Sequence, residues 1–197
     1  IVYGADQGIA WGQKGFQMKL APYDGTIRGP LIVSMPKKFP SGKVCPKPVG
    51  GADLVPTFFK TAELDLPWKM HGRDLTPLLR DPERRDWKSP LLLAHTGMSF
   101  GKDCDVVIDM KKDPIYQKQR VPWWISLRTD RYKYIRNLLP GETEELYDMR
   151  KDPEELNNLA GQSKHMVLLR KLRKQTIHEL QQTDYAFAQT MPPVKNP

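Results

Sequence analysis

Ile1-Val2-Tyr3-Gly4-Ala5-Asp6-Gln7-Gly8 opens the chain, and the reading of this stretch decides the fold. Ile1, Val2 and Tyr3 favour a strand, while Gly4 and Gly8 bracket Asp6 and Gln7 with residues that permit a sharp turn. An acid and an amide therefore stand where a strand gives out, which in an open α/β sheet is the crevice where ligands bind. A carboxylate and an amide carbonyl are hard oxygen donors, suited to Ca²⁺ or Mg²⁺ and not to zinc or copper. Two oxygens do not complete a site, and the same pair also fits a plain polar turn. Lys19 follows and would add a second positive charge for an anionic substrate drawn to such a cation.

Around this corner lie 197 residues, 39% of them hydrophobic, enough for one ordinary domain or two small ones. No apolar run approaches the length that crosses a bilayer, so the pattern is globular and no membrane span is expected. The chain opens without Met on what reads as a core strand, which predicts that its beginning, and any signal sequence, lie elsewhere. A net charge of +8 raises the question of nucleic acid. The basic residues are spread over Lys37-Lys38, Arg84-Arg85, Lys111-Lys112 and Arg170 to Lys174 without interleaved aromatic rings. That is the pattern of solvated faces, and no nucleic-acid partner is expected. A basic surface would also steer an acidic polymer. Cys45 and Cys104 are too few for a disulfide scaffold; one bridge and two free thiols are both open.

Further along, Pro30-Leu31-Ile32-Val33-Ser34-Met35-Pro36 reads as a short buried strand, and Lys37 to Gly51 as a surface loop. Asp53 suits the N-cap of a helix whose apolar face is Leu54, Val55, Phe58, Phe59 and Ala62, and Asp74 that of a shorter one through Leu75, Leu78 and Leu79. Pro82 and the charged run to Lys88 mark a boundary. Beyond it, Leu91 to His95, Trp123 to Leu127, Arg131 to Leu138 and Glu145 to Asp148 read as strands, with a turn at Thr129-Asp130. Asp152-Pro153 begins a capped turn, and Met166, Leu169, Leu172, Ile177 and Leu180 share one face of a terminal helix. A small antiparallel sheet with one helix laid on it is the simplest assembly. The tail from Met191 to Pro197 should be extended or disordered.

Taken in order, these residues carry a resemblance. Asp6-Gln7-Gly8, Gly12-Gln13-Lys14-Gly15, Lys19, Tyr23-Asp24, Arg28 and Pro30-Leu31-Ile32-Val33 resemble the sulfatase signature. In that signature Asp, then Gln, His or Asn, then Gly leads to a lysine and a Tyr-Glu-x-x-x-Arg-x-Pro segment. Asp53-Leu54-Val55-Pro56-Thr57, Gly72-Arg73-Asp74-Leu75 and Pro77-Leu78-Leu79 are similar to two further segments of the family. Arg128 to Ile135, Glu145 to Asp148 and Asp152 to Leu159 are similar to its C-terminal subdomain. Each match is weak alone, and their shared order is the signal.

The resemblance implies an α/β fold: the end of an alkaline-phosphatase-like mixed sheet, plus a small C-terminal antiparallel sheet packed against a terminal helix. Residues 1–88 would close the catalytic α/β domain, 89–190 would form the C-terminal subdomain and 191–197 the tail. It further implies a sulfuric ester hydrolase whose cysteine- or serine-derived formylglycine attacks the sulfur of a sulfate ester beside Ca²⁺, with Mg²⁺ or Mn²⁺ as lesser alternatives. Asp6 and Gln7 would then be metal ligands and Lys19 a sulfate contact. The nucleophile and the other ligands would lie on the N-terminal part of the same enzyme. A sulfated small molecule or carbohydrate is the expected substrate, and secretion, the periplasm or the lysosome the expected location.

Cys45 does not qualify as the nucleophile precursor. The family motif is Cys-x-Pro-x-Arg, whereas Cys45 is followed by Lys47 at the third position and Val49 at the fifth. Lys14 stands where relatives often carry His, and Asp24 replaces the commoner Glu and keeps its charge. His71, His165 and His178 have no partner at metal-ligand spacing. His95 ends a strand before Thr96-Gly97 and is the histidine placed to face a substrate. Trp123 and Trp124 are adjacent on a strand, so one faces the core; the second is open to packing or to stacking on a sugar. Two alternatives remain: a phosphodiesterase or phosphonate monoester hydrolase of the same superfamily, or a non-catalytic polyanion-binding fragment.

Overall fold

The alternation expected of β-branched and aromatic runs produces strands at each expected place in a computed structural model describing residues 1–183 and 186–195. In chain order the elements are β1 (Val2–Gly4), α1 (Asp24–Ile27), β2 (Leu31–Val33), α2 (Leu54–Thr61), α3 (Thr76–Arg80), β3 (Leu91–His95), α4 (Pro114–Gln119), β4 (Trp124–Arg128), β5 (Tyr132–Asn137), β6 (Glu145–Asp148) and α5 (Met166–Gln181). The chain divides into two compact units, Ile1–Gln7 with Gly29–Leu91, and Gly8–Arg28 with Leu92–Pro197. Gly8–Arg28 groups with the second unit and not with the residues that flank it in sequence.

In the first unit β1 and β2 pair antiparallel, Val2 opposite Val33 and Gly4 opposite Leu31. β2 is not the buried strand expected from its prolines: Ile32 is 59% exposed, and Tyr3 opposite it 63%. A ribbon of two strands has no layer of its own to bury either face. The helix read from Asp53 forms as α2, but Val55 and Phe58 on its expected apolar face are exposed. Nor does Asp53 cap it. Its carboxylate accepts the Gly50 N–H (2.9 Å) and the Arg73 N–H (2.8 Å), and takes Arg73 Nε at 3.1 Å and Nη2 at 2.8 Å. Arg73 supplies both ends of a planar fork, which outcompetes a helix N-terminus for a buried carboxylate. Thr57 Oγ1 donates to Asp53 O and accepts from the Leu75 N–H (2.9 Å). Gly72 is required here, because a Cβ would lie 1.8 Å from Ala52 O. Asp74 accepts the Thr76 N–H at 2.8 Å, but the cap position of α3 is Leu75, so the aspartate stands one residue ahead of the cap expected of it.

In the second unit a four-stranded sheet runs in the order β3-β4-β5-β6, with β4·β5 and β5·β6 antiparallel. Burial is nearly continuous along β4, β5 and β6 because both faces are covered. On one face Leu127, Tyr134 and Leu146 meet Leu169 and Leu172 of α5, and Ile125 meets Leu180. On the other, Trp124 packs with Ala21 and Val121, and Ile135 and Tyr147 pack with Tyr23. The segment Gly8–Arg28 is that second cover. The Asp152 turn forms as expected, its carboxylate accepting the N–H groups of Leu156 (3.0 Å) and Asn157 (2.8 Å). The tail is tied at its start: Met191 packs on the core and Arg136 Nη2 donates to Pro192 O (2.5 Å). Asn196 and Pro197 lie outside the described residues. Cys45 is exposed and Cys104 buried, and both are free thiols. No helix is long and apolar enough to cross a membrane among the described residues.

Candidate functional site

The opening corner is built as its residues require. Asp6 and Gln7 follow β1 after Ala5 in the first unit, Asp6 exposed and Gln7 half-buried. Asp6 Oδ1 accepts the Gln7 backbone N–H at 2.9 Å, which fixes the carboxylate at the turn. Both donors are hard oxygens, so the pair fits part of a Ca²⁺ shell, which takes six to eight. Among the described residues no group of three or more His, Cys, Asp or Glu side chains is gathered to hold a metal.

Lys19 belongs to the second unit, on the irregular segment that covers the sheet. The backbone around it is unusual. Leu20 has φ +81, a left-handed conformation that costs a branched residue about 1–3 kcal/mol. Its carbonyl accepts the indole N–H of Trp124 at 2.8 Å, and Ala21 behind it is fully buried. Trp124 is only 3% exposed, so it is packing and not a sugar platform. The same ring stacks on His95, centroids 5.9 Å apart at 29°. Trp124 thus joins two of the sequence-derived candidates, Lys19 through the neighbouring carbonyl and His95 through its ring. Burial holds the His95 imidazole below its ordinary range, with Asp113 opposing, and its buried Nε2 has no hydrogen-bond partner among the described residues.

The departures at Lys14 and Asp24 are absorbed by the same unit. Lys14 Nζ lies over the rings of Tyr23 (4.3 Å) and Tyr147 (4.7 Å), and donates to Tyr147 Oη at 3.2 Å and to the carbonyl of Glu155. Asp24 uses the charge it shares with Glu: its Oδ1 takes Lys133 Nζ at 2.9 Å, and Glu155 Oε1 pairs with the same ammonium at 2.7 Å. Glu155 Oε2 accepts the Asp24 N–H at 2.7 Å. Burial pushes the Glu155 carboxyl upward, and Lys133 opposes it. Tyr23 and Tyr147 both donate to Glu145, at 3.1 and 2.5 Å, and burial followed by Glu145 pushes both phenols far up.

Comparison with known proteins places this arrangement. The family described as N-sulphoglucosamine sulphohydrolase, C-terminal, matches residues 12–97 and 113–183. The chain belongs to this family. It is 27% identical over 201 residues to the N-acetylglucosamine-6-O-sulfatase of Bacteroides thetaiotaomicron, covering 99% of this chain and 32% of that protein. A solved structure of a protein bound to its substrate D-glucosamine-2-N,6-O-disulfate superposes with a TM-score of 0.71 at 25% identity, over 94% of this chain and 35% of that one. The phosphonate monoester hydrolase of Agrobacterium radiobacter shares the fold, with a TM-score of 0.72 at 22% identity over 92% of this chain and 35% of that one. The chain thus spans about a third of the length of the relatives it matches. In sequence and fold the chain is the C-terminal portion of a sulfatase of the alkaline-phosphatase-like superfamily, a superfamily that also holds the phosphonate monoester hydrolase.

Within the sulfatase C-terminal portion, sequence reading missed Trp124 as a link, and Lys133 and Glu155 as a buried ion pair. The only signal for the latter was a lysine between two tyrosines on a strand, Tyr132-Lys133-Tyr134, which reads equally as a surface residue. Cys45 is exposed in the loop after β2, as its poor motif match suggested, and His71 and His178 are exposed.

Proposed function

We propose that this chain is the C-terminal part of a sulfatase that hydrolyses sulfate esters of carbohydrates or small molecules, with a formylglycine nucleophile carried by the N-terminal part of the same enzyme. The family match over most of the chain supports this reading most strongly. Asp6 and Gln7 would hold Ca²⁺ by two oxygens, and the remaining ligands would come from that N-terminal part. Bound there, the ion would supply Lewis-acid stabilisation of charge on the sulfuryl oxygens. Lys19 would hold one of those oxygens through its ammonium, and this interaction grows as charge shifts in the transition state. His95, with its unpartnered Nε2, would face the substrate. A sulfated glucosamine ligand in the superposed structure favours a sulfated amino sugar over a simple aryl ester. Placement outside the cytoplasm, in the periplasm, the lysosome or secreted, goes with this reading.

A phosphonate or phosphate ester hydrolase is the second reading, favoured by the shared fold of the Agrobacterium enzyme. The complete protein, with formylglycine installed, separates the two. Turnover of 4-nitrocatechol sulfate should exceed that of the corresponding phosphate and phosphonate esters; equal or faster turnover of either overturns the sulfatase assignment. For the metal, Asp6→Ala in that protein should lower bound calcium measured by atomic spectroscopy, and unchanged occupancy removes Asp6 from the shell.

A further inference from the structure

Leu20 is held in a left-handed conformation beside Lys19, and the residue holding it is a buried tryptophan on the central part of the sheet. A non-glycine residue rarely keeps φ +81 unless its surroundings over-determine it. Two features do so here. The Trp124 indole N–H donates to Leu20 O at 2.8 Å, and Ala21, which follows, is buried against Val121 and Trp124. The carbonyl of Ala21 is itself taken by the Thr26 hydroxyl, so the chain on that side of Leu20 cannot relax. Trp124 is in turn fixed by its place on β4, where its backbone pairs opposite Asn137, and by the stack on His95.

We infer that Trp124 is a positioning residue: its indole N–H, through the Leu20 carbonyl, sets the direction in which Lys19 leaves the backbone. The inference rests on the role proposed for Lys19. Without the hydrogen bond, Leu20 falls back to φ below zero, and Lys19 Nζ, at the end of a four-carbon stem, loses its fixed approach to the sulfuryl oxygen. A misplacement of about 1 Å at a charge-stabilising group is enough to cost a hundredfold in rate. Burial of the ring and stacking on His95 do not require the N–H, so Trp124→Phe removes the hydrogen bond while keeping most of the packing.

A double-mutant cycle in the complete protein tests this with 4-nitrocatechol sulfate, or with whichever ester it turns over fastest. Trp124→Phe should lower kcat/KM by about tenfold in the natural background, mostly through kcat, and by less than about threefold in Lys19→Ala, since interacting residues are not additive. Equal losses in both backgrounds overturn the inference while leaving the role of Lys19 intact. If Lys19→Ala alone leaves kcat/KM unchanged, the role of Lys19 fails, and the inference with it. Should Trp124→Phe not fold, β-(3-benzothienyl)alanine installed at position 124 keeps the bicyclic ring and its stack on His95 and removes only the N–H. It should show the same dependence on Lys19, and an unchanged kcat/KM with that analogue overturns the inference.

Discussion

At the scale of single residues, His95 is a strand-end histidine whose ring is buried against Trp124. Its imidazole is depressed by burial, so the folded protein keeps the ring neutral below the ordinary range while the unfolded chain takes up a proton near pH 6.5. The neutral ring's contribution is complete above that value and is lost as pH falls through the lower folded-state value. His95→Gln should therefore lose less of its thermal stability than the natural chain between pH 7 and 5, measured as Tm. Parallel profiles would show an ordinary histidine. The position of His95 was legible, because a strand ending before Thr96-Gly97 marks it. Its environment was not: the ring that buries it belongs to Trp124, and the carbonyl that fixes Trp124 is 104 residues away in sequence. Asp53 teaches the same lesson. An aspartate before a helical run reads as a cap, and only the fold brings the guanidinium of Arg73 to claim it.

At the scale of elements, β5 shows how far alternation can be trusted. Its place was legible from Arg131 to Leu138, and so was its hairpin with β4 around Thr129-Asp130. Alternation also suggests that Lys133 points to solvent, yet the residue is fully buried. The explanation is Gly8–Arg28, which covers that face and delivers Asp24 to the ammonium, while the turn after β6 delivers Glu155. Two carboxylates around one buried cation make the element depend on that cation. Lys133→Met would leave Asp24 and Glu155 facing each other without it, and breaking such a pair typically costs about 3–5 kcal/mol. Urea unfolding followed by tryptophan fluorescence should show a loss of that order, and Lys133→Met with Glu155→Gln should lose less than the two changes added together. A loss under about 1 kcal/mol for Lys133→Met would mean that water replaces the ammonium and that the network is not what holds Gly8–Arg28 on the sheet.

At the scale of the whole molecule, the two units differ in how much they bury. Among the described residues the hydrophobic clusters of buried residues, on Trp123 and Ile125, on Leu127 and Tyr134, on Ala21 and Trp124, and on Ile135 and Tyr147, belong to the second unit. In the first, Leu75 and Leu78 are the buried large hydrophobics among the described residues, while Ile1, Tyr3, Ile32, Phe58 and Trp68 are exposed. Hydrophobic burial is the main favourable term in folding, and an isolated two-stranded ribbon is marginal in water. The Asp53–Arg73 pair organises the first unit but cannot replace a core, because a buried ion pair is weak evidence for stability. The chain studied alone should therefore open in two stages. By hydrogen exchange read by mass spectrometry, amides of β1, β2 and α2 should exchange at low protection, while those of β4, β5 and α5 should remain protected until global unfolding. Adding the N-terminal part that we propose completes the enzyme should slow exchange in the first unit, and only slightly in the second. If both units of the isolated chain exchange together at one high protection, the first unit has a core of its own, and the exposed faces of β1 and β2 do not weaken it.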